Sequence, residues 1–308
     1  MKKILVTGSN GLLGQKLVYK LKARKDVQLI ATARGQNRLA DQHGYTFYSL
    51  DIENRQNVDE VIDRVKPDHI IHTAAMTQVD DCELDHEACD RANVLAVQHI
   101  VDAAERNNSH LVHISTDFIF NGKEGPYTEE AKPDPLSYYG NAKWKSELIV
   151  QNSRLKWAIL RTVLVYGIVD NMSRSNIVLW AKGSLEKGEP IHVVDDQFRS
   201  PTLAEDLADG CILAVEKMAT GIYNVSGKDQ LSIIELVRTV ADYYGLDRTL
   251  IHPVSSKTLN QPAKRPPVTG FILDKARREL GYNPHSFLEG IALMEKQIKQ
   301  MSQKAQAK

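Results

Sequence analysis

The sequence predicts an α/β protein: a doubly wound parallel sheet joined to a smaller, discontinuous α/β lobe. Three observations carry that reading. Short apolar runs alternate with stretches of helical periodicity through the first half of the chain, a glycine-rich turn follows the first run, and the alternation breaks after about Tyr166. The 308 residues exceed the ~100–150 of a common single domain, which leaves room for a large lobe and a small one.

The apolar runs fall at residues 4–6, 27–31, 69–72, 111–114 and 157–160, with spacings that admit a helix between each pair. That is the rhythm of β-α-β units with strands buried on both faces. Leu13, Leu17 and Leu21, and later Val94, Val97, Val101 and Ala104, recur three and four apart, so each helix turns one apolar stripe to a sheet. Beyond Tyr166 the pattern reads strand at 191–194, helix at 203–215, strand at 222–225 and helix at 233–244. We therefore expect a first lobe of residues 1–165 with return segments near 203–226, and a smaller lobe of 166–202 and 227–308. Four prolines between Pro253 and Pro267 exclude a continuous helix there, and the Lys/Gln-rich tail from about Gln297 is expected to fray.

Composition narrows the function. A formal net charge of zero argues against a nucleic-acid partner, whose phosphates need a basic surface. No stretch approaches the ~18 apolar residues of a membrane span, and Met1-Lys2-Lys3 leads straight into a strand-like run, so a cytoplasmic location with no membrane contact is expected. Cys82, Cys89 and Cys211 lack C-x-x-C spacing and read as small buried or helix-surface residues. His69 and His72 lie at a buried strand without a companion cluster of ligands, so they read as core or strand-end residues.

The turn Gly8-Ser9-Asn10-Gly11-Leu12-Leu13-Gly14 joins the first strand to the first helix, with glycines at i, i+3 and i+6. Such a turn lets a pyrophosphate approach a helix N-terminus, where free N–H groups and the helix dipole favour anions. The expectation is a Rossmann dinucleotide site. After the second strand, where a carboxylate would take the ribose 2′-hydroxyl of NAD, the chain offers Arg34 and Arg38, which suit a 2′-phosphate. NADP(H) is thus the preferred cofactor, with NAD(H) possible. Asp51 and Ile52, just after a third strand, could hold the adenine amino group and ring face.

Tyr139 and Lys143 stand four apart and so share a helix face. An ammonium there is expected to lower the phenol from its usual ~10, letting it exchange a proton with a carbonyl or alcohol oxygen as hydride moves at the adjacent carbon. About twenty residues upstream, Thr116 ends a strand at the side of the sheet where ligands bind. Thr116 is the expected hydroxyl partner of Tyr139, with Ser115 the alternative.

The turn from Thr7 to Gly14, Thr73-Ala74-Ala75-Met76-Thr77-Gln78-Val79-Asp80, Ser115-Thr116-Asp117, Tyr139 with Lys143, and Asp196-Gln197-Phe198-Arg199-Ser200-Pro201-Thr202 together resemble the extended short-chain dehydrogenases. Within them the chain is most similar to the dTDP-4-dehydrorhamnose reductases, and the similarity continues through the proline-rich Gln261 to Pro267. The resemblance implies a catalytic set of Thr116, Tyr139 and Lys143, with Lys143 also on the nicotinamide ribose. It implies that Ala74, Ala75 and Met76 line the cofactor, that Asn93 supports the site, and that the smaller lobe binds a nucleotide-sugar substrate touched by Asp117 and Gln197.

Two positions depart from that family. Leu164 stands where it commonly has a tryptophan against the substrate, and Arg199 where it more often has glycine. A guanidinium there suits a substrate diphosphate or carboxylate, and equally an interlobe salt bridge. Some relatives dimerise around magnesium through glutamates of the first helix; Gln15 and Lys16 replace them here, so no metal is expected, although a homodimer is. Reduction of a nucleotide-linked 4-keto-6-deoxy sugar is the first expectation. The alternatives are an epimerase or dehydratase on the same scaffold, and a non-catalytic subunit like the accessory subunit of methionine adenosyltransferase.

Overall fold

A computed structural model describes residues 1–171 and 175–306. Its main sheet has seven strands: β1 Lys2–Thr7, β2 Val27–Ala33, β3 Thr46–Ser49, β4 His69–His72, β5 His110–Thr116, β6 Trp157–Thr162 and, arriving late in the chain, β11 Gly221–Asn224. The spatial order is β11-β6-β5-β4-β1-β2-β3, with every pairing parallel. This is the doubly wound order, which reverses direction beside β1 and opens a crevice at the carboxyl ends of β1 and β4.

Strand alternation decides what each face buries. Ile4 and Val6 of β1 join Leu29, Ile71, Val112 and Leu160 on one face, under α1 Leu12–Leu21 and α8 Ala204–Glu216. Leu5, Ile30, Ile70, Leu111 and Ile159 face the other way, toward α2 Arg55–Val65 and α5 Ala96–Asn107. The edge strand β3 breaks the pattern. Its residues are exposed or half-buried, so it lacks the apolar run that marks the interior strands.

Between β4 and α5 lie α3 Val79–Leu84, α4 His86–Asp90 and a π-helical turn, Arg91–Leu95, while α6 Tyr138–Gln151 precedes β6. A third apolar cluster lies apart from the sheet. It is built by β7 Val165–Tyr166, α7 Ile177–Glu186, β8 Ile191–Val194, β10 Thr202–Leu203, α9 Ile233–Tyr244, β13 Ile251–Val254 and α10 Phe287–Gln306. Two-residue strands β9 Phe198–Arg199 and β12 Leu231–Ser232 pair antiparallel beside it.

The tail corrects the expectation of fraying at Gln297, because α10 continues to Gln306. Gln297 donates to Glu205 at 2.5 Å and accepts from Lys16 at 3.1 Å, tying α10 to α8 and α1. All three cysteines are buried, the first of the two readings left open by their spacing. Among the described residues, no helix is long and apolar enough to cross a membrane.

Candidate active site

The glycine-rich turn sits at the carboxyl end of β1. A Cβ on Gly14 would lie 2.2 Å from the Gly8 carbonyl oxygen, so the helix can pack this closely on its own approach only without a side chain there. Gly11 is the N-cap of α1 and offers no side-chain cap, and the first helical turn carries no acidic residue. The unsatisfied N–H groups of that turn therefore fit an anionic diphosphate. Asn10 ties the turn to the loop after β2, donating to Gln36 O at 2.8 Å and accepting from Arg38 N at 2.9 Å.

Arg34 and Arg38 extend into solvent beside this turn, with Arg34 Nη1 4.0 Å from Glu53 Oε1. Asp51 Oδ1 accepts from Glu53 N at 3.1 Å within its own turn, and the Ile52 carbonyl faces His99 at 3.2 Å. Across the turn, Thr7 Oγ1 accepts from the backbone N–H groups of Thr73 and Ala74 at 3.1 and 3.3 Å, which fixes the start of the 74–76 segment. Asn93 holds its end, taking Met76 N at 3.0 Å and giving to Met76 O at 2.9 Å. Asn93 thus shapes this wall of the crevice through the backbone.

Thr116 closes β5, and Tyr139 and Lys143 rise from the first turns of α6, whose N-cap Ser137 accepts from Gly140 N at 3.2 Å. A Cβ on Gly140 would come within 2.2 Å of Phe118 O, so α6 lies directly on the turn that follows Thr116. The Thr116 hydroxyl bears on the Tyr139 phenol, easing its ionisation. Ser115 points to the other side of the strand, its Oγ buried without a partner among the described residues.

The expected acidification of Tyr139 is corrected. Burial pushes its phenol above the usual range and the Asp117 carboxylate adds to that, while the Thr116 hydroxyl opposes both. Lys143 is fully buried, and its ammonium is held elsewhere, donating to Ile114 O at 2.8 Å and lying 3.4 Å from His113 Nε2. Burial lowers that ammonium to about 8. The helix spacing is as expected, but desolvation, which a sequence does not display, raises the phenol while the ammonium is turned to Ile114 O.

Asp117 and Arg199 are buried and face each other, Arg199 Nε lying 3.9 Å from Asp117 Oδ2. The guanidinium also donates to Phe198 O at 2.7 Å, Pro267 O at 3.2 Å and Gln197 Oε1 at 3.2 Å. Leu164 lies half-buried between the sheet-side core and the third cluster, with φ +37° and its carbonyl accepting from Thr202 N at 3.2 Å. A left-handed leucine is unusual, and the Thr202 contact helps to hold it.

Two features went unseen in the sequence. His72 and His113 stack beneath the site with ring centroids 5.5 Å apart, His72 Nδ1 lying 2.8 Å from Thr7 Oγ1 and His113 Nε2 3.0 Å from Ser146 Oγ. Their place near the carboxyl ends of adjacent strands was the available signal. The second is Arg265, which grips Asp80 at 2.7 Å and so binds the proline-rich segment to α3.

The sheet order, the uncapped helix after β1 and the hydroxyl-phenol-ammonium set beyond β5 define the class as NAD(P)-dependent oxidoreductases of the extended short-chain dehydrogenase/reductase type. A family model described as the RmlD substrate binding domain matches residues 1–300. The chain belongs to that family. It is 30% identical over 296 residues to a dTDP-4-dehydrorhamnose reductase of Aggregatibacter actinomycetemcomitans, covering 92% of this chain and 95% of the relative. It is also 30% identical over 270 residues to methionine adenosyltransferase 2 subunit beta of Danio rerio, covering 86% and 81%. Among solved structures, a Bacillus anthracis dTDP-4-dehydrorhamnose reductase in complex with NADP superposes with a TM-score of 0.83 at 28% identity, covering 96% of this chain and all of that one.

Proposed function

We propose that the chain is an NADP(H)-dependent reductase of a nucleotide-linked 4-keto-6-deoxy sugar. The observation that carries the reading is the placing of Thr116 against Tyr139, one helical turn from buried Lys143, beside a helix N-terminus fit for a diphosphate. The two reductase relatives support the substrate class.

The dinucleotide, when bound, supplies the hydride. Gly8, Ser9, Asn10, Gly11, Leu12, Leu13 and Gly14 receive its diphosphate, Arg34 and Arg38 its 2′-phosphate, Asp51 and Ile52 its adenine, and Ala74, Ala75 and Met76 flank it. Thr116 holds the sugar oxygen and Tyr139 delivers a proton to it. Burial keeps the Tyr139 phenol protonated at neutral pH, the form a donor needs. Lys143, whose ammonium rests on Ile114 O one helical turn from the phenol, grips the nicotinamide ribose. Asp117, Leu164, Gln197 and Arg199 shape the sugar side. In this reading residues 1–165 with 203–226 form the cofactor lobe, which the joining of β11 to the main sheet favours, and the remainder forms the substrate lobe.

A second reading, a non-catalytic subunit, rests on the Danio rerio relative. The complete Thr116, Tyr139 and Lys143 set weighs against it, since a binding role has no chemical use for the phenol proton. The test is NADPH oxidation with dTDP-4-dehydro-6-deoxy-L-mannose, followed by absorbance. Wild type is expected to consume one NADPH per sugar reduced, and Tyr139→Phe to lose ~10²–10⁴-fold in rate while still binding NADPH. NADPH binding with no consumption across a panel of keto-sugars would instead favour the subunit.

A further inference from the structure

We propose that Arg199 is a positioning residue for this reaction, acting through the buried carboxylate of Asp117 to set the direction of the Thr116 hydroxyl. The inference rests on the catalytic reading of Thr116 given above. Asp117 accepts from Thr116 Oγ1 at 3.1 Å through Oδ1 and from Thr269 Oγ1 through Oδ2. Thr116 in turn accepts from Phe118 N at 3.3 Å, and its hydroxyl bears on the Tyr139 phenol.

A threonine hydroxyl has a single hydrogen to give. An ionised Asp117 draws that hydrogen to itself, leaving Thr116 only lone pairs to present to the site. A protonated Asp117 can donate to Thr116 instead, freeing that hydrogen for the sugar oxygen that Thr116 holds. The charge on Asp117 therefore decides what Thr116 presents to the sugar oxygen beside Tyr139.

A carboxylate this deeply buried takes up a proton unless a counter-charge or hydrogen-bond donors oppose it. Burial does push Asp117 upward, and Arg199 is foremost among the influences that hold it down, ahead of Thr269 and Thr116. The charged or titratable groups facing the pair are Arg199 from β9, Tyr139 from α6, and Arg265, whose charge bears on Arg199. Arg199 is itself fixed by the carbonyls of Phe198 and Pro267 and by Gln197, so its charge arrives in one geometry. The pair spans sequence positions 117 and 199, and with Thr269 it links the turn after β5 to two segments of the second half of the chain.

The test compares wild type with Arg199→Met, Arg199→Gln and the double variant Arg199→Met/Asp117→Asn. The first readout is the infrared carbonyl stretch of protonated Asp117, assigned by its absence in Asp117→Asn and titrated on the protein without substrate. Both single variants are expected to move its appearance upward by ~1–3 pH units, with kcat gaining an acid-side inflection at the same pH. The double variant should show neither the band nor the inflection, and it leaves no unpaired buried charge to prevent folding. Should Arg199→Met not fold, Arg199→Gln, which keeps donors for the two carbonyls, carries the measurement.

An unmoved band overturns the proposal, as does a moved band with an unchanged kcat profile. So does a rise in sugar KM alone, which would make Arg199 a substrate ligand. The infrared titration needs no substrate, so failure of this pairing is distinguishable from failure of the reductase reading.

Discussion

Strand β4 carries a histidine at each end, each in register with a histidine of β5, and the two resulting pairs do different things. At the amino ends, His69 and His110 sit in register with their rings edge to face at 5.4 Å, and His110 Nε2 reaches the carbonyl of Ala219 at 2.8 Å. That contact ties the sheet to the segment leading into β11. Where β4 ends, His72 and His113 are also in register but stack, between Thr7 of the glycine-rich turn and Lys143. The same residue type on the same two strands thus serves the framework at one end and abuts the proposed chemistry at the other. The difference lies in direction: in a parallel sheet only the carboxyl ends open onto the turns where ligands bind.

The largest expected effect is at the carboxyl end. Gly140→Ala must push α6 off Phe118 O, and a displacement near ~1 Å between Tyr139 and Thr116 should cost ~10²-fold in activity. Activity assays on the folded variant check this; full activity would mean that the close approach does not set the site.

The matched histidines come next. His110→Phe leaves the Ala219 carbonyl without its partner and should cost ~1–3 kcal/mol in urea unfolding, with kcat unchanged. His113→Phe should leave a comparable fold but alter the pH profile of activity, because it removes a polar neighbour of the Lys143 ammonium. If the two variants behave alike, the contrast between the ends of the sheet is broken.

Acid sharpens the same contrast. Burial lowers His69 to about 4 and His72 to about 3, against ~6.5 when unfolded. The folded values are the lower ones, so the stability tied to neutral imidazoles is complete above ~6.5 and is lost as pH falls toward 4 for His69 and 3 for His72. Unfolding free energy should therefore drop across that window, and His69→Phe should flatten its upper part without touching kcat.

The smallest effect concerns cofactor choice. Arg34→Ala and Arg38→Ala should each raise KM for NADPH by roughly 3–10-fold, in keeping with exposed side chains, and leave KM for NADH nearly unchanged. Equal rises for both cofactors would remove the arginines from 2′-phosphate recognition.

What could be read in advance follows from how local each signal is. The five interior strands announce themselves as apolar runs, and the turn from Gly8 to Gly14 carries its own spacing. Tyr139 and Lys143 reveal a shared helix face because four residues make about one turn. The edge strand β3 is legible only by its place before Asp51 and Ile52, since half-exposed Thr46–Ser49 has no apolar run to show. The phenol of Tyr139 was expected to be acidified, yet its burial follows from packing against Cys82, Cys89 and Ala142, residues up to 57 positions away. The contact of Thr269 with Asp117 spans 152 positions, and no periodicity predicts a partner at that distance. The persistence of α10 likewise depends on Glu205, 92 residues before Gln297.

The central claim is hydride transfer at the carboxyl end of the sheet, and NADPH deuterated at the transferring C4 position of the nicotinamide tests it most directly. With dTDP-4-dehydro-6-deoxy-L-mannose as substrate, the account predicts one deuterium at C4 of the product sugar for each NADP+ formed, and none with Tyr139→Phe over the same time. A sugar epimerised or dehydrated with the deuterium still on the nucleotide, or a tightly bound NADPH that transfers nothing, would contradict it.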